Sequence, residues 1–314
     1  MDLGTQMLVA VFLDMVVGDP RWLPHPVKLM GRVAAAMESP TRRFILDARL
    51  AGGVVAATVI LGTVLLVWGM IHGARQVHPL VGDAVSTILI YYGIAARDMI
   101  DHSYRVYEAL VNGFLGEARS AVGMICGRDT GCLDEAAVAR AAVESVAENL
   151  VDGVTAPLFY CTIGGPVAMM MYKAINTLDS IFGYKNEQYR DFGWLSARLD
   201  DIANFIPARL SALLVPLAAW LLEQNPSQSM RIFLRDRGNH PSPNAGQTES
   251  AMAGALGVQL GGPSSYFGKM VEKPCLGDPV EPIAAQHIIR ANALFLVTAG
   301  LALGVLLGVR AMVC

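Results

Sequence analysis

The sequence predicts an all-α, polytopic membrane protein with about four or five membrane-spanning helices and polar helical segments on the cytoplasmic side. Three observations carry that prediction. Hydrophobic residues, Gly not counted, make up 54% of the 314 residues, and charged residues only 16%, where about 25% is usual for a soluble chain. Mean hydropathy is +0.43. Apolar runs of near-spanning length recur along the chain, separated by segments dense in charge or proline. So little charge does not cover the surface of a soluble chain of this length, and lipid replaces water over part of it. The net charge of −3 leaves no electrostatic case for nucleic acid. The five cysteines, Cys126, Cys132, Cys161, Cys275 and Cys314, contain no C-x-x-C pair. That argues against a disulfide framework or zinc site and fits a reducing compartment.

The chain reads as one integral membrane domain, 1–314, with candidate spans at 3–17, 52–71, 84–96, 154–171, 206–222 and 293–309. The first is apolar but carries Asp14. Asp2 stands where a signal peptide would be basic, so this run reads as a retained helix. The run 52–71 has no charge at all, and Trp68 near its end suits a membrane interface. The run 84–96 is too short to span without flanking residues. Pro157, Gly164, Gly165 and Pro166 interrupt 154–171. Pro207, Arg209 and Pro216 fall within 206–222, so Arg209 must lie near an end, or face protein or a polar cavity. Broken helices at membrane depth line cavities and avoid lipid. Arg310 after the last run reads as an interfacial stop. Arg21, Lys28, Arg32, Arg42, Arg43 and Arg49 lie between the first two runs, and only Arg75 in the next connection. The positive-inside rule places the first connection in the cytoplasm and the second outside.

Four polar segments could carry chemistry. In GDPRWLPHPVKLMGR (18–32), three prolines within seven residues exclude a helix. They hold Asp19 and His25 on a stiff loop, with Lys28 and Arg32 beginning whatever follows; a plain membrane-exit loop with an interfacial Trp22 is an equal reading. The polar stretch 97–152 has ten acids against five arginines and no lysine. Asp134 and Glu135 suit a helix start, and the following sequence is helix-forming up to Gly153. Steps of four put Arg140, Glu144, Glu148 and Asp152 on one face, flanked by Asn149. Either Arg140 relieves the repulsion, or a Mg²⁺ ion held by one or two carboxylates and substrate phosphates does. Arg128, in GRDT (127–130), belongs either to a turn or to an anion contact. In the run 172–209, Asn176 and Asp179 share a helical face, as Asp200 or Asp201 does with Asn204, and such oxygen ligands suit Mg²⁺. Helix capping explains the aspartates equally well. The last segment, 235–262, contains HPSPNAGQ, a constrained turn with His240, Ser242, Asn244 and Gln247, followed by Glu249. A turn at a helix N-terminus is an anion seat or an ordinary junction. Neither a Walker A sequence nor G-x-G-x-x-G after a strand is present. The polar helical segments are expected over 97–152 and 223–292.

Taken together these stretches, with ESVAENLVDGVTAPLFY, NTLDSIFGYKNEQYRDFGWLSARLDDIANFIPARLSA and KPCLGD, resemble the cobalamin-biosynthesis CbiB-type family, adenosylcobinamide-phosphate synthase. They occur in family order from Gly18 to Asp278. Each alone is a loose match, and Ile181 stands where the family pattern has Met. The resemblance implies a multi-pass inner-membrane enzyme with its active site on the cytoplasmic side. It would join adenosylcobyric acid to (R)-1-aminopropan-2-ol O-phosphate or ethanolamine phosphate as an amide, using ATP and Mg²⁺. Other cobalamin-pathway enzymes would be candidate docking partners. Under that implication Glu144, Glu148, Asn149, Asp152, Asn176 and Asp179 attend Mg²⁺–ATP. Arg128, Lys185, Arg198 and Arg209 meet phosphate oxygens, joined by Asn244 at the bound nucleotide or substrate. Asp19, His25 and His240 contact substrate or move protons. The rival is a non-catalytic corrinoid-binding or transport protein, whose polar residues should cluster mid-span. If 206–222 spans fully, the third and fourth segments lie on opposite membrane faces; a single site requires that run to be re-entrant, or a site reached at membrane depth.

Overall fold

In the computed structural model, which describes residues 1–20, 25–184 and 186–313, thirteen α-helices carry the fold, with a short β-containing loop before the last. Lys185 and Trp22 lie outside the described residues. The chain forms two compact units. Unit 1 comprises 1–95, 156–204 and 306–314, and unit 2 comprises 96–155 and 205–305.

Unit 1 begins with α1 (Leu3–Val17), started by Asp2, whose carboxylate accepts a hydrogen bond from the Thr5 N–H at 3.0 Å. At about 22 Å, α1 is shorter than a bilayer core, and its Asp14 is buried. The expectation that the prolines of 18–32 exclude a helix fails from Pro26 on: α2 (Pro26–Phe44) opens on that proline, whose missing N–H costs nothing at a first position. His25 caps it by accepting from the Val27 N–H at 3.2 Å. Asp47 caps α3 (Ala48–Val77) and His78 caps α4 (Pro79–Gly93) in the same way. Along α3, Ala51, Val55, Val59, Val67 and Ile71 enter a core with Met30, Met170, Leu178, Phe182 and Phe192. On its other side Leu61, Leu65, Leu66 and Trp68 stay 57–66% exposed, an apolar face that only lipid covers without cost. Gly52 lets the backbone of Phe192 pack directly on α3.

Helix α8 (Ala156–Phe182) is broken at Gly164 and Gly165. Gly165 sits at φ 64°, ψ −158°, a region essentially closed to other residues. Pro157 is not a break, because it falls on the first turn after a π-helical stretch, Leu150–Thr155, where a helix tolerates the missing N–H. Helix α9 (Trp194–Ala203) completes the unit.

Unit 2 holds α5 (Ala96–Val111), α6 (Leu115–Val122), α7 (Glu135–Asn149), α10 (Phe205–Leu221), α11 (Pro226–Asp236) and α12 (Ala245–Leu256). Helix α7 starts as expected, with the Asp134 carboxylate accepting from the Ala137 N–H at 2.7 Å. All twelve residues of α12 are buried. Its small side chains allow close approach; a Cβ on Gly254 would come within 2.5 Å of the Gln228 carbonyl on α11.

The expectation that 223–292 is helical fails over 260–276. There β1 (Leu260–Gly261) pairs with β4 (Cys275–Leu276), and β2 (Ser264–Tyr266) with β3 (Lys269–Val271), both antiparallel. Gly261, Gly262, Gly268 and Gly277 at positive φ, with Pro263 and Pro274, forbid a helix through this stretch. The final helix, α13 (Gln286–Val313), runs from unit 2 into unit 1.

Among the described residues four helical stretches are long and apolar enough to cross a membrane: Ala48–Val77, Pro79–Val111, Glu135–Phe182 and Gln286–Met312. The pair α9–α10, bent by 46°, makes a fifth if it is one span. The short run 84–96 thus gains its length from α4 upstream and α5 downstream. The run 206–222 belongs to a bent pair, the geometry of a broken span or a re-entrant loop.

Candidate active site

The polar groups collect in two places, one in each unit. In unit 2, GRDT ties α7 to the β-containing loop. The Arg128 guanidinium donates to Glu144 Oε2 in an ion pair whose side chains are only 11% and 7% exposed. The Gly261 N–H donates to Glu144 Oε1 at 2.6 Å, and Arg128 also reaches Ser264 Oγ at 3.4 Å. Next to Arg128, Asp129 accepts from Ser265 Oγ (2.6 Å), the Gly268 N–H (2.8 Å) and the Phe267 N–H (3.2 Å). These donors, led by Ser265, hold its carboxyl below the usual range. The sequence left two meanings for Arg128, a turn or an anion contact, and its anion here is Glu144.

Beyond Glu144 on the same helix, Glu148 is exposed and Asp152 half-buried in the π-helical stretch. Asn149 donates to the Ser145 carbonyl at 2.9 Å. Among the described residues no group of three or more His, Cys, Asp or Glu side chains is arranged to hold a metal ion by itself.

Helix α12 brings Glu249 into the same unit. Burial raises its carboxyl well above the ordinary value, and the charges of Glu144 and Glu148 push the same way, against Lys273 and Arg128. His240 Nε2 lies 3.8 Å from Glu249 Oε1. The turn 240–244 is locked by Ser242, whose hydroxyl accepts from the Asn244 and Ala245 N–H groups at 3.3 Å each. Arg209, on α10, donates to Asn244 Oδ1 at 3.2 Å and covers the Phe205 ring at 3.5 Å. Arg209 therefore faces protein, as its apolar surroundings required. Lys273 donates to the Tyr266 hydroxyl at 2.6 Å across the β-containing loop.

The Glu249 shift predicts a pH effect. A carboxyl raised in the folded state keeps its proton where the unfolded chain has lost it. The associated stability is therefore complete below about pH 4.5, the ordinary value, and is lost as pH rises toward the folded value. Glu249→Gln should flatten the fall in unfolding midpoint between pH 5 and pH 8. Parallel pH profiles for the two proteins in thermal unfolding would contradict this placement.

In unit 1, Asn176 on α8 donates to Asp200 Oδ1 at 3.2 Å, and Asn204 donates to Asp200 Oδ2 at 3.0 Å. The Tyr172 hydroxyl donates to Asn204 Oδ1 at 2.9 Å. Pairs four apart on α8 and α9 thus face one another, and the shared face of Asp200 and Asn204 is realised. Asp179 closes α8, its carbonyl accepting from the Gly183 N–H at 2.7 Å and its carboxylate beside Gly183. Arg198 is 62% exposed and pairs with Asp201 at 3.4 Å. At the start of α2, His25 Nε2 lies 3.5 Å from Asp19 Oδ2, and its ring meets Tyr92 edge-on at 5.2 Å.

The candidate residues therefore divide as follows. Asp19, His25, Asn176, Asp179 and Arg198 belong to unit 1, and Arg128, Glu144, Glu148, Asn149, Asp152, Arg209, His240 and Asn244 to unit 2. Three residues to which the sequence assigned no role also emerge, namely Glu249, Lys273 and Tyr172. A lone acid in the small-residue run AGQTESAMAGAL was the available signal for Glu249, since a helix of such residues packs deep.

Fold and site together define a multi-pass helical membrane protein with buried, cross-linked polar clusters. The CobD/Cbib protein family model matches residues 7–295, and the chain belongs to that family. It is 52% identical to the cobalamin biosynthesis protein CobD of Geobacter metallireducens over 90% of this chain and 89% of that one. The CobD protein of Klebsiella pneumoniae is 46% identical, and the cobalamin biosynthesis protein CbiB of Salmonella typhimurium 43%, each over 96% of both chains. No solved structure matches. The chain has a role in cobalamin biosynthesis.

Proposed function

We propose that this protein catalyses ATP-dependent amide formation between adenosylcobyric acid and an amino-alcohol phosphate, on the cytoplasmic side of the inner membrane. The observation that most supports it is the arrangement around α12. A phosphate-compatible arginine, Arg209, is held at the helix start by Asn244, and His240 stands beside the buried Glu249.

A carboxylate is a poor electrophile. Its oxygen attacks the γ-phosphorus of ATP, ADP leaves, and the acyl carbon becomes open to the amine. Attack by the amine nitrogen expels inorganic phosphate, and the ammonium proton passes to His240, imidazole being the side-chain type that commonly serves as a general base. Arg209 offsets phosphate charge during transfer, the dominant demand of such reactions. Glu144 acts through Arg128 and holds the loop 260–276, whereas Glu148 and Asp152 are the carboxylates that fit Mg²⁺. One or two carboxylates are enough when substrate phosphates complete the shell. Bound there, the ion would neutralise phosphate oxygens. In unit 1, taken by itself, Asn176 and Asp179 are assigned as oxygen ligands, and Asp19 and His25 as a polar contact pair.

The test is detergent-purified full-length protein incubated with Mg²⁺–ATP, adenosylcobyric acid and aminopropanol phosphate, read by mass spectrometry for the amide. Product that requires all three establishes the reaction. Glu148→Gln should then lower turnover by about 100-fold or more, the scale of removing one group that stabilises transferring charge, with the unfolding midpoint unchanged. Normal turnover in that variant would remove the metal assignment. The break in α8 at Gly164–Gly165 favours a second reading, corrinoid binding or transport; retained corrinoid without any product would select it.

A further inference from the structure

Unit 1 contains a cavity of about 430 Å³ that none of the residues assigned above lines. Its wall includes Arg75, Arg310, His72 and Trp68, and no acidic residue is among those lining it. The ion pairs found among the described residues leave both arginines out. Arg310 has one long hydrogen bond, to the Thr162 carbonyl at 3.4 Å. Trp68 stacks on His72 at 5.0 Å and 7°, which gives the cavity a flat, half-apolar flank. The room comes from the break in α8, since Gly164 and Gly165 line the cavity and the helix restarts at Pro166.

Its level in the membrane follows from α3. Arg49 marks one end of that helix, and Trp68 to Arg75 the other, roughly 39 Å apart at 1.5 Å per residue. A tryptophan one to two turns before an arginine at the end of an apolar helix sits at headgroup depth. A cavity there that offers two guanidinium groups and an aromatic flank matches a phosphate with an apolar attachment. Guanidinium forks hold phosphate oxygens in pairs. We propose that this cavity is a phosphate-binding site at the membrane interface, remote in sequence and role from the residues of the proposed reaction, and that a lipid headgroup is the phosphate it meets there.

Native mass spectrometry on the full-length protein in detergent tests this. The chain is titrated with phosphatidylglycerol and, separately, with inorganic phosphate. Phosphatidylglycerol should bind at one site, and Arg75→Gln or Arg310→Gln should weaken it by roughly tenfold or more, as expected for a lost charge-assisted hydrogen bond. Arg75→Lys should retain part of the affinity. Inorganic phosphate binding with the same arginine dependence would keep the phosphate site and move its source to solution. Unchanged binding in both glutamine variants, or none of either ligand in a protein with normal unfolding midpoint, would overturn the proposal.

Discussion

Arg128→Met should destabilise the protein by about 3–5 kcal/mol, the cost of leaving one partner of a buried ion pair uncompensated. Glu144 would be left at 7% side-chain exposure with only the Gly261 N–H, at 2.6 Å, still donating to it. The loss would spread to the loop 260–276, because Arg128 also reaches Ser264 and its neighbour Asp129 holds Ser265, Phe267 and Gly268. The double variant Arg128→Met/Glu144→Met should recover most of the stability, since apolar residues of similar volume often replace a buried pair without loss. Unfolding in detergent, followed by denaturant or heat, measures both. A single variant within about 1 kcal/mol of wild type, an ordinary surface effect, would mean that the pair is not desolvated.

Gly52→Ala is expected to cost about 3 kcal/mol or more, the upper range of overpacking. A Cβ there would stand 1.8 Å from the Phe192 carbonyl oxygen and 2.7 Å from its carbon, so backbone must move. Phe192 is 1% exposed, meets Phe182 edge-on at 5.0 Å and lies under the Arg42 guanidinium at 4.1 Å. Separating it from α3 opens that cluster. At Gly62 and Gly69, on the same helix, an added Cβ would meet nothing within 4 Å. Gly62→Ala and Gly69→Ala should therefore stabilise by roughly 0.5–1 kcal/mol, the helical difference between the two residues. Equal midpoints for Gly52→Ala and Gly62→Ala would refute the close approach.

Much of this was legible beforehand because it depends on neighbours in the chain. Low charge and long apolar runs give a multi-pass helical protein whatever the packing. Asp134 starts α7 through a bond that closes within three residues, whereas the prolines of 18–32, read as excluding a helix, in fact open α2 at Pro26. The break expected from GGP in 154–171 occurs at Gly164–Gly165, and the positive φ of Gly165 excludes other residues there. The same local logic misjudged Pro157, because a preceding π-helical stretch was not visible in spacing, and it missed the ribbons of 260–276, which are too short to show alternation.

Which groups share a cluster was a different matter. Steps of four put Arg140, Glu144, Glu148 and Asp152 on one face by spacing alone, but periodicity is silent on what crosses to meet them: Glu144 is buried, Glu148 is exposed, and Asp152 falls in the π-helical stretch. Arg128 takes Glu144 from sixteen residues away, and Gly261 from more than a hundred. Asp200 joins Asn176 only because α8 and α9 pack face to face. Glu249 has its raised carboxyl only because α12 is buried on every side. The sequence by itself determined the class of protein, the helices and most of their ends, since composition and short-range hydrogen bonds act within a turn or two. The tertiary structure alone decided which charges are paired and which carboxyls stay exposed, because desolvation and long-range contacts exist only once the helices have packed.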